Sequence, residues 1–251
     1  MPHNNSKPSN DSSAPERVFV GTSGWAYASW KPDFYPHATP QKKFLDYYAT
    51  QLNSVEVNYT FRQLPTGSML AGWLGATGSG FRFSFKAPQR ITHVLRLKDC
   101  AESVGVLSRA LAPVAAVGKM GIVLLQLPPN FKADPSRLEV FLADAEPSGL
   151  KLAFEFRHGS WFSDEVFETL RRHGAALCVA ESEDLETPDI ETAAFSSYRF
   201  RKSEYSPEQL NTLANKVRER STKGEVYAYF KHEDEPKGAL CAVDTLELLR
   251  R

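Results

Sequence analysis

The sequence contains few cysteines, and none of them form a pair at the spacing of a zinc site or a redox motif. Of its 251 residues only Cys100, Cys178 and Cys241 are cysteines, and they lie far apart. An odd number without paired spacing argues against a disulfide framework and against a zinc ribbon. The pattern therefore predicts three small, reduced side chains in a protein of a reducing compartment.

The chain also lacks an excess of charge of one sign and any long apolar run. Lys plus Arg and Asp plus Glu number 30 each, so no general attraction draws the chain to nucleic acid or to an anionic membrane. No apolar run approaches the roughly 20 residues of a membrane helix. The opening segment MPHNNSKPSNDSSAPER lacks the apolar core that a signal peptide contains. We predict a disordered tail over residues 1–16, followed by a cytosolic domain.

Strand-like runs alternate with stretches of helical period from residue 18 onward. The strand candidates are residues 18–22, 54–61, 81–86, 120–127, 151–157, 175–181, 196–201 and 225–231. Several stretches between them begin with residues that start helices, such as Asp134, Ser163 and Ser206. Eight strands, each followed by a helix, predict an α/β fold, a single (β/α)8 TIM-type barrel over residues 17–251.

A doubly wound open sheet is the alternative fold. Such a sheet usually has fewer strands and a glycine-rich turn that binds a nucleotide. The sequence contains neither GxGxxG nor a Walker-type loop. The strand count and this absence both favour the barrel.

One face of several predicted strands is polar. Alternation in KLAFEFR places Leu152, Phe154 and Phe156 on one face, and Glu155 and Arg157 on the other. In a barrel the apolar face packs against the helices, so the polar face must point inward.

When alternate residues are assigned to the inward and outward faces in five of the strands, the inward faces carry an excess of positive charge. Their inward set holds six cations and two anions, namely Arg82, Lys86, Arg157, Arg199, Arg201 and Lys231 against Glu56 and Glu155. The same alternation puts Tyr59 and Phe61 on the outward, apolar face of the second strand. Because buried unpaired charges are costly, the excess of four predicts a solvated mouth or an anionic ligand.

The polar residues that come late in each strand are the candidates for a functional site. Barrel enzymes carry their active sites at the C-terminal ends of the strands, and the arginine fork suits phosphate or carboxylate. The predicted ligand-binding residues are Ser23, Trp25, Tyr27, Asn58, Lys86, His93, Gln126, Arg157, Arg199, Arg201 and Lys231. The predicted catalytic acid–base residues are Glu155, His158 and Glu181. Glu56 and Arg82 are assigned to a structural ion-pair layer beneath them.

Eight motifs in the chain resemble those of one known family. They include FVGTSGW (19–25), SVEVNYTF (54–61), FRFSFKAP (81–88), GIVLLQLPPNF (121–131), FEFRHGSW (154–161) and VYAYFKHED (226–234). Together they resemble the YecE-like family, also called domain of unknown function 72. The resemblance spans residues 18 to about 245 and implies a TIM-type barrel with a polar site at its mouth, without a settled reaction.

Two places differ from the family pattern as we know it. The family commonly has an arginine followed by a His-Gly pair on strand seven, and an asparagine after the phenylalanines of strand eight. Here the chain reads Arg199-Phe200-Arg201-Lys202 and Lys231-His232. The predicted rim is therefore more basic than the family pattern.

Two other interpretations of these residues stay open at this point. The aromatic loop SGWAYASWKPDFYP could stack on a ligand over the mouth, or it could form a small satellite core. A metal site could draw on Glu56, His93, Glu155, His158, Glu181 and His232. No pair of these has a spacing such as HxxxH, so we assign no metal site.

The sequence thus predicts a barrel protein that binds a small anionic, phosphorylated ligand and acts on it by acid–base chemistry. Such an enzyme would be a hydrolase, lyase or isomerase. The alternatives are a non-catalytic module for single-stranded nucleic acid or a protein tail, and a metal-dependent hydrolase or nuclease. Nucleic acid is not the favoured partner, no membrane partner is expected, and the sequence identifies neither a cofactor nor an oligomeric state.

Overall fold

Eight parallel strands close into a barrel in the computed structural model, which describes residues 16–231 and 235–251. The strands are β1 (Val18–Ser23), β2 (Ser54–Val57), β3 (Arg82–Lys86), β4 (Met120–Gln126), β5 (Lys151–Glu155), β6 (Ala176–Ala180), β7 (Phe195–Phe200) and β8 (Glu225–Phe230). They follow one another in sequence order, and β8 pairs with β1 to close the ring. The (β/α)8 prediction is confirmed. The predicted tail lies outside the described residues, apart from Glu16.

Helices surround the barrel between most of the strands. They are α1 (Phe44–Gln51), α2 (Gly67–Gly75), α3 (Ala101–Ala116), α4 (Pro135–Ala145), α5 (Asp164–Arg172), α6 (Pro207–Ser221) and α7 (Lys237–Arg250). Helix α2 forms from the sequence GSMLAGWLG, although it is rich in glycine, a poor helix former. Across residues 16–231 and 235–251, none of the helices combines the length and apolar character that crossing a bilayer requires.

The connection between β6 and β7 departs from the predicted pattern. Residues 181–194 contain no helix, so the expectation of a helix after every strand is wrong. The segment is acidic and contains Pro188, and it is held by side-chain contacts instead. The Thr192 hydroxyl accepts a hydrogen bond from the Leu177 amide and donates one to the Ala175 carbonyl, both at 2.8 Å. These contacts attach the segment to β6.

Strand β2 is shorter than predicted, and this changes which side chains reach the mouth. Asn58 already has helical dihedrals (φ −82°, ψ −17°), and residues Tyr59–Phe61 form a 3-10 turn. The Thr60 hydroxyl lies 3.0 Å from the Val57 carbonyl and 2.6 Å from the Lys86 carbonyl, which ties the turn to the end of β3. The predicted outward placement of Tyr59 and Phe61 is therefore wrong.

The remaining apolar strand faces pack outward, as predicted. Val55, Phe83 and Phe154 belong to the large core between the barrel and its helices. The lower interior of the barrel has a smaller core of its own, which contains Phe19, Ile122, Leu124, Tyr227 and Tyr229. The lower interior of the barrel is thus largely apolar, and a buried cluster of charged side chains lies near the C-terminal ends of the strands.

Three helices begin at the residues that the sequence indicated. The side chains of Asp134, Ser163 and Ser206 accept hydrogen bonds from the amides of Arg137, Val166 and Gln209. At α6 the Gln209 side chain also accepts from the Ser206 amide at 2.8 Å, which completes a capping box. The predicted helix starts are confirmed at all three places.

Removing the cap of α6 is expected to destabilise the protein modestly. Ser206→Ala leaves the Gln209 amide without its side-chain acceptor. Loss of a serine cap costs about 0.5–2 kcal/mol. Urea unfolding should show this loss for Ser206→Ala and almost none for Ser203→Ala, an exposed serine before the helix. Equal effects of the two substitutions would contradict the capping role.

Candidate functional site

Four charged side chains form a buried ion network beneath the mouth of the barrel, made of Glu56, Glu155, Arg199 and Arg201. Arg199 donates from Nη2 to Glu56 Oε1 at 2.7 Å and from Nη1 to Glu155 Oε2 at 2.5 Å. Each of these three side chains is at most 2% exposed. One guanidinium on β7 therefore joins a carboxylate on β2 to a carboxylate on β5. Glu56 thus lies in a buried ion pair, and the structural role assigned to it stays a prediction.

Glu155 is held ionised by its neighbours. Its Oε1 accepts from Gln126 Nε2 at 2.9 Å and from Arg201 Nη2. Burial alone would raise the pKa of Glu155, but the charges of Arg199 and Arg201 and the Gln126 hydrogen bond lower it below the ordinary value. Both carboxylate oxygens are thus engaged. The catalytic role of Glu155 stays a prediction, and its geometry is that of a member of the ion network.

Ser23 belongs to this network as well. Its hydroxyl donates to Glu56 Oε1 at 2.7 Å and accepts from Arg199 Nη2 at 3.2 Å. These contacts use the single O–H donor and one of the two acceptor lone pairs of the hydroxyl. The ligand role predicted for Ser23 therefore has no direct support from its hydrogen bonds.

Two predicted inward cations lie away from the network. Arg82 begins β3, donates to the carbonyls of Ser79 and Phe81, and lies over the Phe19 ring at 5.0 Å. The register places Glu56 beside Ser84 and not beside Arg82, so the ion-pair role predicted for Arg82 is wrong.

Arg157 lies beyond the end of β5 and is exposed. The carboxylate of Glu155 is bound by Arg199 and Arg201, not by Arg157. Arg157 still contributes to the rim, since its charge acts on His93.

A cavity of about 390 Å³ opens above the ion network, and we refer to it as the mouth cavity. Its lining residues are Asn58, Tyr59, Phe61, Arg62, Gln63, Lys86, Gln126, Arg199 and Lys231. A larger cavity of about 640 Å³ lies at the opposite end of the strands, where Arg82, Lys151 and Glu225 line it. Because barrel active sites lie at the C-terminal ends of strands, we take the mouth cavity as the candidate site.

The segment after β2 supplies five of these lining residues, and the sequence analysis missed four of them as site residues, namely Tyr59, Phe61, Arg62 and Gln63. Tyr59 is 40% exposed. The missed signal was Asn58, because asparagine favours turns and a strand seldom continues through it. The Oδ1 atom of Asn58 is buried without a hydrogen-bond partner.

Lys86 reaches the mouth cavity from the end of β3. Its Nζ lies 4.3 Å from the centroid of the Phe61 ring. Burial and then the charge of Arg199 lower the pKa of Lys86 to about 8, against the raising effect of Glu56 and Glu155. Among residues 16–231 and 235–251, no carboxylate lies within 4.0 Å of Lys86 Nζ. In the ion network both oxygens of Glu155 and Oε1 of Glu56 accept hydrogen bonds, while Glu56 Oε2 is buried without a partner.

His93 contacts the same aromatic ring. Its ring is perpendicular to Phe61 at 5.1 Å, and Nδ1 lies 2.8 Å from Thr92 Oγ1. Burial, followed by the charges of Lys86, Arg157 and Arg96, lowers the pKa of His93. The lowered pKa favours the neutral form of the imidazole.

The two other predicted acid–base residues are engaged in loops. His158 caps a 3-10 turn after β5, and its Nδ1 accepts a hydrogen bond from the Ser160 amide at 3.1 Å. Glu181 Oε2 accepts from the Arg201 amide at 2.7 Å and from the Tyr205 hydroxyl. These contacts position loops around the mouth, and neither residue hydrogen-bonds to Glu155. Their catalytic roles stay predictions.

The aromatic loop after β1 is mostly a satellite core. Trp30, Phe34 and Tyr35 are at most 4% exposed. Trp25 is half-buried and stands perpendicular to Trp73 at 5.3 Å. The Tyr27 hydroxyl donates to the Ser23 carbonyl at 3.0 Å.

The surplus of positive charge at the mouth is smaller than the sequence indicated. The cavity lining and the ion network together hold five cations and two anions, a difference of three charges, namely Arg62, Lys86, Arg199, Arg201 and Lys231 against Glu56 and Glu155. The predicted excess of four falls to three because Arg82 lies at the opposite end and Arg157 lies outside the strand, whereas Arg62 is added.

No three His, Cys, Asp or Glu side chains come together as a possible ion site within residues 16–231 and 235–251. His232, which the sequence analysis named as a possible ligand, lies outside the described residues. No group of ligands for a metal can therefore be assembled from the described part of the chain.

A closed (β/α)8 barrel with a cationic cavity at the C-terminal ends of its strands places this chain among the TIM-barrel proteins. Within that class, residues 19–251 match the family described as Protein of unknown function DUF72, and the chain belongs to that family. The YecE-like assignment made from the motifs is confirmed.

Several relatives extend this assignment. The chain is 29% identical to the UPF0759 protein YecE of Escherichia coli K12 over 158 residues, which are 62% of this chain and 54% of the relative. The match thus spans about half the length of that curated relative. The crystal structure of a DUF72 family protein from Thermotoga maritima is 30% identical, with a TM-score of 0.83 over 93% of this chain and 99% of that one.

A DUF72 family protein from Enterococcus faecalis has the same fold at lower identity. It is 17% identical with a TM-score of 0.79, over 93% of this chain and 96% of that chain. At this identity the likeness concerns the fold alone. The barrel is thus shared with solved family members.

Proposed function

We propose that the mouth cavity binds a small anionic ligand, specifically a phosphorylated small molecule. The observation that carries the proposal is Lys86, a cation that faces the cavity without a carboxylate within 4.0 Å, because Arg199 and Arg201 hold Glu155 and Arg199 holds Glu56. A bound anion would supply the missing countercharge. Lys231 and Arg199 line the same cavity and add to its positive potential.

The size of the cavity supports a small ligand. Its volume of about 390 Å³ lies near the lower end of the range for small-molecule sites, roughly 300–1,000 Å³. Gln126 and Asn58 add neutral polar groups to the lining, which could orient the uncharged part of a metabolite. His93, whose pKa is lowered, offers a neutral base beside the cavity. We therefore propose acid–base chemistry with His93 in place of His158.

Three free thiols, two of them buried, support the location predicted from the sequence. Cys100 and Cys178 are buried, and Cys241 is partly buried. Free thiols are typical of a reducing compartment. We accordingly propose that the protein acts in the cytosol.

Inorganic phosphate and glycerol 3-phosphate are expected to stabilise the protein against heat. A ligand at 100 times its dissociation constant adds about 2.7 kcal/mol to the free energy of unfolding. Lys86→Gln should weaken phosphate binding by at least about tenfold, since a hydrogen bond to a charged group contributes about 1.5–3 kcal/mol. Lys42→Gln, which removes an exposed lysine near α1, should leave the binding unchanged. Thermal unfolding measures the stabilisation by the two phosphates. Isothermal titration calorimetry measures phosphate binding by the unaltered protein and by the two variants.

The same measurements separate the alternatives. Absence of heat and of a thermal shift with both phosphates would argue against the anion site. Tighter binding of a single-stranded oligonucleotide, with an affinity that falls steeply as salt rises, would favour the nucleic-acid module. Metal analysis of the purified protein tests the metal-dependent hydrolase.

A further inference from the structure

Lys86 is presented to the mouth cavity in a way that suits covalent chemistry. It ends β3, and its amine lies over the Phe61 ring at 4.3 Å. Its side chain is half-buried, and it lines the cavity together with Gln126 and Arg199. A ligand that enters the cavity therefore meets this amine directly.

Burial, followed by the charge of Arg199, makes the ammonium form of Lys86 less favourable than that of an ordinary lysine. An ordinary buried lysine would pair with a carboxylate, but Glu56 and Glu155 are already engaged by Arg199 and Arg201. The charged groups that act on Lys86 are Arg199, Glu56, Glu155 and Lys231, and Lys86 in turn acts on His93. With a pKa of about 8, about a tenth of the Lys86 amines are neutral at pH 7. For an unperturbed lysine the neutral fraction is about 0.03%.

We propose that Lys86 is a nucleophile that forms an imine with an aldehyde or ketone ligand in the mouth cavity. The proposal rests on the proposed function, because the ligand would be a carbonyl compound that also carries a phosphate or another anionic group. It adds the reactive group that the anion site alone does not specify. Nucleophilic lysines of this kind depend on desolvation or on neighbouring cations, and both are present here.

The reaction balances with water as its only by-product. The lone pair of the Lys86 nitrogen attacks the carbonyl carbon, and the carbonyl π pair moves to oxygen, which takes up a proton to give a carbinolamine. The C–O bond then breaks and a C=N bond forms, so that the oxygen leaves as water with both amine protons. His93, which contacts the same Phe61 ring, accepts and returns the proton that moves between nitrogen and oxygen.

Reductive trapping tests this chemistry on the intact 251-residue chain. The protein is incubated with glyceraldehyde 3-phosphate and sodium cyanoborohydride, and the labelled lysines are mapped by peptide mass spectrometry. We expect Lys86 to be labelled at least about tenfold faster at pH 7 than Lys42, an exposed lysine that serves as the internal reference. The Lys86 rate should rise with pH up to about 8 and then level off, whereas the Lys42 rate should keep rising.

Substitution provides the matched control. In Lys86→Arg the label at this position must disappear, while labelling of Lys42 and of the other exposed lysines continues. A thermal unfolding curve checks that the variant is folded. If Lys86→Arg does not fold, the labelling map and the pH profile of the unaltered protein still decide the proposal. Labelling of Lys86 no faster than Lys42 overturns it.

The outcomes distinguish this inference from the anion site on which it rests. Phosphate binding in the calorimeter without selective labelling of Lys86 overturns the imine and leaves the anion site supported. Selective labelling that inorganic phosphate slows supports both. Selective labelling by neutral glyceraldehyde, unaffected by phosphate, supports the nucleophile and overturns the anion site.

Discussion

Replacing Arg199 by methionine is expected to lower the free energy of unfolding by about 3–5 kcal/mol. Arg199 is fully buried, and its guanidinium contacts carboxylates on both β2 and β5. Methionine fills similar space but leaves Glu56 without its cation and Glu155 with only Arg201. The loss in the free energy of unfolding therefore arises from buried carboxylates that have lost their cation, and not from a cavity.

Urea unfolding of matched variants measures this cost. Arg109→Met, which removes an exposed arginine on α3, should change the free energy of unfolding by no more than about 0.5 kcal/mol. Adding Glu56→Gln to Arg199→Met should recover part of the loss, because the neutral amide removes one unpaired charge. A loss below about 1 kcal/mol for Arg199→Met would show that the network contributes little.

The sign of the pH dependence follows from Glu155. Its folded-state pKa is below the ordinary value, so its stabilising contribution is present above that ordinary value. This contribution is lost as pH falls through the lowered pKa. The difference in stability between the unaltered protein and Arg199→Met should accordingly shrink in acid.

Replacing Trp30 by alanine should be nearly as destabilising, at about 3–5 kcal/mol. The Trp30 ring is 1% exposed and meets Phe34 at 5.5 Å, Tyr35 at 6.0 Å and Tyr27 at 4.9 Å. Its removal empties the centre of the satellite core that supports the loop after β1. Thermal or urea unfolding measures the loss.

Trp25→Ala is the matched control for this prediction. Trp25 is half-buried beside Trp73, so its truncation should cost less than that of Trp30. The two variants also separate the two roles considered for the aromatic loop. If Trp25 covers the ligand, Trp25→Ala should weaken phosphate binding, whereas Trp30→Ala should change stability alone. A larger effect of Trp30→Ala on binding than on stability would contradict the satellite core.

Alternation along a strand predicted which way side chains point wherever the strand is regular. In β3, β5 and β7 it correctly placed Lys86, Glu155 and Arg199 inside the barrel. It failed after Val57, because the chain turns at Asn58 and the period of two ends there. That error hid Phe61, the ring on which Lys86 rests.

Alternation does not give the height of a residue along the barrel axis or its partner on a distant strand. Arg82 and Lys86 share the inward face of β3, yet they lie at opposite ends of the barrel. The pairing of Glu56 with Arg199 joins residues 143 positions apart, which no local pattern contains. Strand register and barrel closure decide these contacts, and both depend on the whole fold.

Arg199 joins β2 to β5 directly beneath the mouth cavity. Below it the barrel interior is filled by the smaller apolar core, where the Tyr229 hydroxyl is hydrogen-bonded to Ser54 at 2.7 Å and to Ser84 at 2.6 Å. A ligand bound in the mouth cavity as proposed would therefore find no passage through the barrel axis and would leave on the side from which it entered.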